Sequence, residues 1–284
     1  MKTRNKGLLL SFVGVLILSP DSLFIRLVNL DDFSLIFYRS ALPIVTILIF
    51  LIYTYKRSFL KSFYLIGVPG IIYAILYAIT HICFVYSIQN TAVANTLVLI
   101  ASAPIFAALF SVFILKEIPS LFTWIVILIA MLAMIIIGIG SFTTTGLYGD
   151  IMALIVAIGM GFSMVLVRLF KNKDLVPACL LGCLISALYA LPFGINFDLN
   201  NDQMLFLFIM CLLILPIPFM ILTISPKFAP AHEVALIFLL ESVLGTAWVW
   251  FVINEIPPLN TIIGGALLLG SVTIFIYQTT RKTN

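Results

Sequence analysis

Phe113-Ile114-Leu115-Lys116-Glu117-Ile118-Pro119 and Phe251-Val252-Ile253-Asn254-Glu255-Ile256-Pro257 carry one phrase twice, 138 residues apart. At the same shift Leu121 meets Leu259 and Thr123 meets Thr261. At a shift of 142, Gly7, Arg26, Leu27 and Asp32 meet Gly149, Arg168, Leu169 and Asp174. Leu and Ile coincide cheaply in an apolar chain, so the Glu-Ile-Pro and Arg-Leu pairs carry the repeat. The chain of 284 residues therefore divides into two units, 1–141 and 142–284.

Outward from the two phrases the chain is almost wholly apolar. Hydrophobic residues make up 63% and charged residues 9%, against roughly 45–50% and about 25% in a soluble domain. The mean hydropathy is +1.25. So few charges cannot clothe a globule of this size in water, which excludes a soluble fold and predicts an integral membrane protein. About 20 apolar residues cross a bilayer as a helix. Ten runs meet that length: Gly7–Leu27, Ser34–Tyr55, Tyr64–Ser87, Ala94–Leu115, Ser120–Gly140, Tyr148–Phe170, Leu175–Ile195, Met204–Ile224, Ala231–Ile253 and Leu259–Gln278. The fold expected is all-α and polytopic, with no loop long enough to fold alone. The first run follows Lys2, Arg4 and Lys6 like a leader peptide, but it lacks a small-x-small cleavage site and reads as the first span.

The charges set the topology. Placing alternate connections on one side collects 13 of the 15 basic residues there, Arg26 and Arg39 being the exceptions. Asp31, Asp32, Asp150, Asp198, Asp202 and Glu255 fall on the other. The positive-inside rule then puts both termini in the cytoplasm of a cell whose inner membrane holds the chain. Five spans per half is an odd number, so the second half enters from the opposite face and the repeat is inverted. Inverted repeats are the common plan of secondary transporters, with the substrate near the midplane between the halves. The scattered basic residues offer no face for nucleic acid. Cys83, Cys179, Cys183 and Cys211 lie inside apolar runs and read as packing residues.

Polar residues inside hydrocarbon cost roughly 2.5–3.5 kcal/mol when charged, and so face a cavity or a partner. Glu241 stands near the middle of the ninth run, with Ile237, Phe238, Gly245 and Trp248 on or near its face. Its counterpart in the first half is Ala103, so fold symmetry does not require an acid there. It reads as a proton-coupling group or a partner for a substrate amine; alternatively, in protonated form, it ties two helices together. His81 follows Tyr77 and Thr80 in the third run, where Tyr73, Tyr77 and Phe84 can stack on a flat ligand; packing is the competing role. Arg39 either snorkels to water or pairs with Asp21 or an anionic group. Asn95 and Ser102, before Pro104, and Trp248 complete the expected cavity lining. Pro20, Pro104 and the pair Pro216/Pro218 are expected bends. His232-Glu233 begins an HExxH pattern, but position 236 is Leu, so neither a metal nor a cofactor is expected.

Taken together, the ten runs in two halves, Ala103-Pro104-Ile105-Phe106 leading to Leu115-Lys116-Glu117-Ile118-Pro119, Glu241 leading to Asn254-Glu255-Ile256-Pro257, and the aromatic-x-Arg of Phe37-Tyr38-Arg39 resemble the EamA-type transporters of the drug/metabolite transporter superfamily. The resemblance covers essentially the whole chain and implies a carrier of amino-acid-like, nucleoside-like or drug-like solutes, without an ATPase. No Walker motif contradicts that. The mechanism expected is alternating access, proton-coupled through Glu241. An uncoupled exchanger and a non-transporting accessory subunit are the alternatives; substrate, direction and oligomeric state stay open.

Overall fold

The computed structural model describes residues 3–91, 93–138, 146–254 and 259–281, and among these all the regular secondary structure is helical. Nine helical stretches are long and apolar enough to cross a membrane. Ten were expected. The difference lies in Asp32–Asn90, a stretch of 59 residues that would reach roughly 90 Å at about 1.5 Å per residue, three bilayer cores deep. It is not straight. At Lys56 the backbone turns to φ 47° and ψ −120°, which parts α3 (Asp32–Tyr55) from α4 (Phe59–Asn90), and the two pack side by side.

Several spans are broken, three of them beside a proline that removes a backbone donor. Ser19-Pro20 separates α1 (Thr3–Leu18) from α2 (Asp21–Val28). Ala101-Ser102, just before Pro104, separates α5 (Val93–Ile100) from α6 (Ala103–Phe110). A π-turn at Met210–Ile214 runs into Pro216 and Pro218, dividing α10 (Asn201–Ile209) from α11 (Pro216–Leu222). Proline cannot donate to the preceding turn and its ring crowds it, so the ladder restarts there. Leu239 divides α12 (Ala231–Phe238) from α13 (Leu240–Ile253) with no proline at all. In α4, Gly67 takes φ +57° two residues ahead of Pro69, a conformation that costs a side-chain-bearing residue strain. Lys173 Nζ lies 3.5 Å from the Ile66 carbonyl beside that kink.

The unbroken spans are α3, α7 (Leu121–Gly138), α8 (Leu147–Leu169), α9 (Val176–Ala190) and α14 (Leu259–Arg281). The backbone carries the sequence repeat in two places. The breaks at Ala101 and Leu239 are 138 residues apart. So are the left-handed residues Lys116 (φ 57°, ψ 24°) and Asn254 (φ 59°, ψ 24°) that close the runs beginning with α5 and α12. Glu255-Ile256-Pro257 and the expected boundary at 141/142 lie outside the described residues.

Helices meet through small residues, as they must where lipid supplies no hydrophobic drive between them. A Cβ on Gly182 of α9 would stand 2.6 Å from the Tyr77 ring and 3.0 Å from the Ala74 carbonyl of α4. Large apolar side chains such as Ile49, Leu128 and Leu188 point outward, exposed, where hydrocarbon replaces water.

Candidate functional site

Breaking α1 at Pro20 turns Asp21 inward at the start of α2, where it is buried. Arg39 comes to it from α3. Its Nη1 donates to Oδ1 at 2.6 Å and its Nη2 to Oδ2 at 2.9 Å, a two-pronged pair with both side chains all but fully enclosed. Nη1 also lies 3.4 Å from Met210 Sδ in the π-turn, and the guanidinium carbon sits 5.7 Å from the centre of the Phe84 ring. Of the two sequence readings of Arg39, the structure takes the pairing and discards snorkelling, since the residue is 3% exposed.

Next to this pair lies a partly open cavity of about 80 Å³ between the two halves. Asp21, Arg39, Tyr77 and His81 border it from the first half, and Phe219, Phe238 and Glu241 from the second. The helix break at Leu239 lies between Phe238 and Glu241. Glu241 is half-buried and makes no hydrogen bond or ion pair with any described residue. Asp21 and Arg39 are the charged groups that it senses. His81 is buried on α4, its ring parallel to that of Tyr77 at 6.3 Å. His81 Nδ1 is 3.2 Å from Ser40 Oγ, and Ser40 spends its own hydroxyl hydrogen on the Ile36 carbonyl at 2.7 Å. Ser40 therefore accepts, Nδ1 carries the hydrogen in the neutral ring, and Nε2 is left as a bare acceptor with no partner among the described residues.

Three expected lining residues do not reach this cavity. The faces of α5 that do are Leu97 and Ile100, three residues apart. Asn95 turns instead toward Thr91 Oγ1 at 3.4 Å, and Ser102 Oγ donates to the Leu99 carbonyl at 2.6 Å. Trp248 lies two turns beyond Glu241, roughly 10 Å along the helix, and donates from Nε1 to Ser19 Oγ at 2.9 Å, tying α13 to the break in the first span. Sequence reasoning overlooked Phe219 and Thr80. The Pro216/Pro218 pair beside Phe219 was the available signal, since a broken helix in a membrane needs a cavity or protein around its loosened backbone. A second cavity, about 50 Å³, shares Tyr77, Thr80, Met160, Phe219 and Phe238 with the first and continues toward Tyr73 and Val167.

A third cavity of about 450 Å³ opens on the face that bears Lys227, and two ion pairs flank it. Arg4 of α1 holds Glu233 of α12 with both nitrogens, Nε to Oε2 at 2.9 Å. Arg168 of α8 holds Glu117, Nε at 3.1 Å and Nη2 at 3.0 Å from Oε1, and reaches the Lys227 carbonyl with Nη1 at 3.3 Å. Each pair joins one half to the other. His232 is buried there with Nδ1 unpartnered. Among the described residues no group of three or more His, Cys, Asp or Glu is placed to hold a metal ion.

The model of the EamA-like transporter family matches this chain twice, over residues 5–139 and 147–277. The chain is 27% identical over 260 residues to YdfC of Bacillus subtilis (strain 168), described as an uncharacterized transporter, across 87% of this chain and 82% of that protein. It is also similar to a protein of known crystal structure, with a TM-score of 0.81 and 17% identity, covering 99% of this chain and 100% of the other. At that identity the likeness is one of fold.

Proposed function

This chain belongs to the EamA-like transporter family, and from that premise we propose that it is a secondary transporter carrying a small organic metabolite by alternating access, with Glu241 exchanging a proton. Family and relative support a multi-pass membrane transporter and point away from an enzyme. The finer reading rests on one observation: Glu241 borders a cavity between the halves without a partner among the described residues. A carboxyl in that position can hold a proton or release it to a ligand, whereas an acid kept for packing would be bonded.

In this reading the chain crosses the inner membrane ten times, with Asp32–Asn90 counting as two, as an inverted pair of five-helix units, 1–141 and 142–284. The equivalent left-handed residues Lys116 and Asn254 support the repeat, and the segregated basic residues support cytoplasmic termini. A cavity of 80 Å³ is well below the roughly 300–1,000 Å³ of ligand pockets, so it corresponds to a contracted form that rocking of the halves enlarges. Arg4–Glu233 and Arg168–Glu117 act as a latch between halves at the cytoplasmic mouth. In the repeat register, Arg168 and Glu117 correspond to Arg26 and Glu255, so like charges are supplied near the outer mouth.

The test is reconstitution into liposomes holding a pH-sensitive dye, followed by addition of amino acids, nucleosides and amines in turn. Wild-type protein should move protons with one chemical class, and Glu241→Gln, folded and inserted, should lose that movement at least tenfold. Solute flux that persists unchanged with the pH gradient collapsed assigns the protein to uncoupled exchangers instead. Unaltered proton movement in Glu241→Gln removes the residue from the mechanism.

A further inference from the structure

The cavity's unpartnered atoms select a class of ligand. We propose that the site takes a primary or secondary organic ammonium with an apolar body, an inference that rests on the central cavity being the transport site. Charge comes first. Among the described residues the one cation lining the cavity is Arg39, and both its terminal nitrogens are committed to Asp21. That pair sums to zero, so an ionised Glu241 gives the cavity one net negative charge. A carboxylate ligand would add a second without a free cation to meet it; an ammonium cancels the first.

Hydrogen-bond polarity agrees with charge. Glu241 offers acceptor oxygens without a partner, and His81 Nε2 is a buried bare acceptor because Ser40 holds the ring's hydrogen on Nδ1. Thr80 Oγ1 gives its hydrogen to the Leu76 and Tyr77 carbonyls, at 2.9 and 3.0 Å, and so can only accept from a ligand. The unpartnered donor, Arg39 Nε, belongs to a guanidinium whose charge is already balanced. An ammonium is donor-only, with up to three hydrogens, and matches this set. The remaining wall is apolar, part aromatic (Tyr77, Phe84, Phe219 and Phe238) and part aliphatic (Leu97 and Ile100 among others). Ring faces attract a cation and pack against an apolar tail. Ammonium and proton then compete for Glu241, which supplies exchange between them without any further group.

The deciding probes are 2-phenylethylamine, 3-phenylpropionate and 2-phenylethanol, three near-isosteres that are cationic, anionic and neutral. Binding to the purified full-length protein is measured by calorimetry at pH 6 and pH 8. The amine should bind at least tenfold more tightly than either analogue, and more tightly at pH 8 than at pH 6. Glu241→Gln should erase that preference while leaving 2-phenylethanol unaffected, and Glu241→Asp should restore part of it. His81→Phe, which removes the Nε2 acceptor but keeps a ring, should weaken the amine alone, severalfold. Equal or tighter binding of the carboxylate, an amine preference that survives Glu241→Gln, or no amine binding at 10 mM overturns the assignment. Substrate-driven proton movement in liposomes with a different chemical class would leave the transport reading standing while this one falls.

Discussion

Asp21 and Arg39 show how much one residue's neighbour decides. Each alone in a membrane core is a large desolvation cost, and together they form a bonded pair with almost no exposure. Removing one partner of such a buried pair costs about 3–5 kcal/mol, while replacing both by apolar residues is close to neutral. Asp21→Asn or Arg39→Met alone should therefore lower the thermal midpoint sharply, and the double variant Asp21→Leu with Arg39→Met should recover most of it. Unfolding of the purified variants followed by circular dichroism checks this. The same double variant should keep the amine preference of the cavity, because the pair contributes no net charge to it.

At the scale of the helix pair, the contact of α9 with α4 holds Tyr77, which borders the cavity. Gly182 lets Tyr77 lie flat against α9, with Cys183 Sγ 3.7 Å from the Tyr77 hydroxyl and Cys179 3.2 Å from Thr223. A methyl group there meets both the Tyr77 ring and the Ala74 carbonyl within 3.0 Å, and the backbone side of that contact cannot yield. Gly182→Ala should destabilise by about 1–3 kcal/mol, the usual cost of overpacking. Because the ring moves toward the cavity as it gives way, ligand binding should fall as well. A parallel measurement of melting and of probe affinity separates the two effects, and intact affinity with a lowered melting point would mean that α9 shifts instead of Tyr77.

For the molecule as a whole, the two cross-half ion pairs bear on which mouth is open. Arg168 and Glu117 are partly exposed, 20% and 36%, so their bond is worth only about 0.2–1 kcal/mol. That magnitude shifts a two-state equilibrium by up to about fivefold, enough for a gate and too little for a lock. Glu117→Arg should raise the rate at which a maleimide labels Val167→Cys, beside the second cavity, by up to that factor, in a background with the four native cysteines replaced. The swap Glu117→Arg with Arg168→Glu should bring the rate back. Labelling that is indifferent to both variants would leave the pairs with a structural role only.

Much of this was readable without coordinates. Bilayer thickness and the cost of bare backbone in lipid leave one solution for runs of 20 apolar residues, so the all-helical membrane fold followed from composition and run length. The recurrence of Glu-Ile-Pro announced a repeat whose backbone signature appears at Lys116 and Asn254. Burial cost alone singled out Glu241, Arg39 and His81, and all three border one cavity with Tyr77. Asn95, Ser102 and Trp248 were chosen by the same rule and turn elsewhere, because a helix in lipid is apolar all round and its pattern does not say which side faces the cavity. Which of Arg39's two readings holds, which hydrogen His81 keeps, and that the Glu241 carboxyl is left unbonded are matters of placement among residues 18 to 220 positions apart in the chain. Only the packing of broken helices against one another brings such groups together.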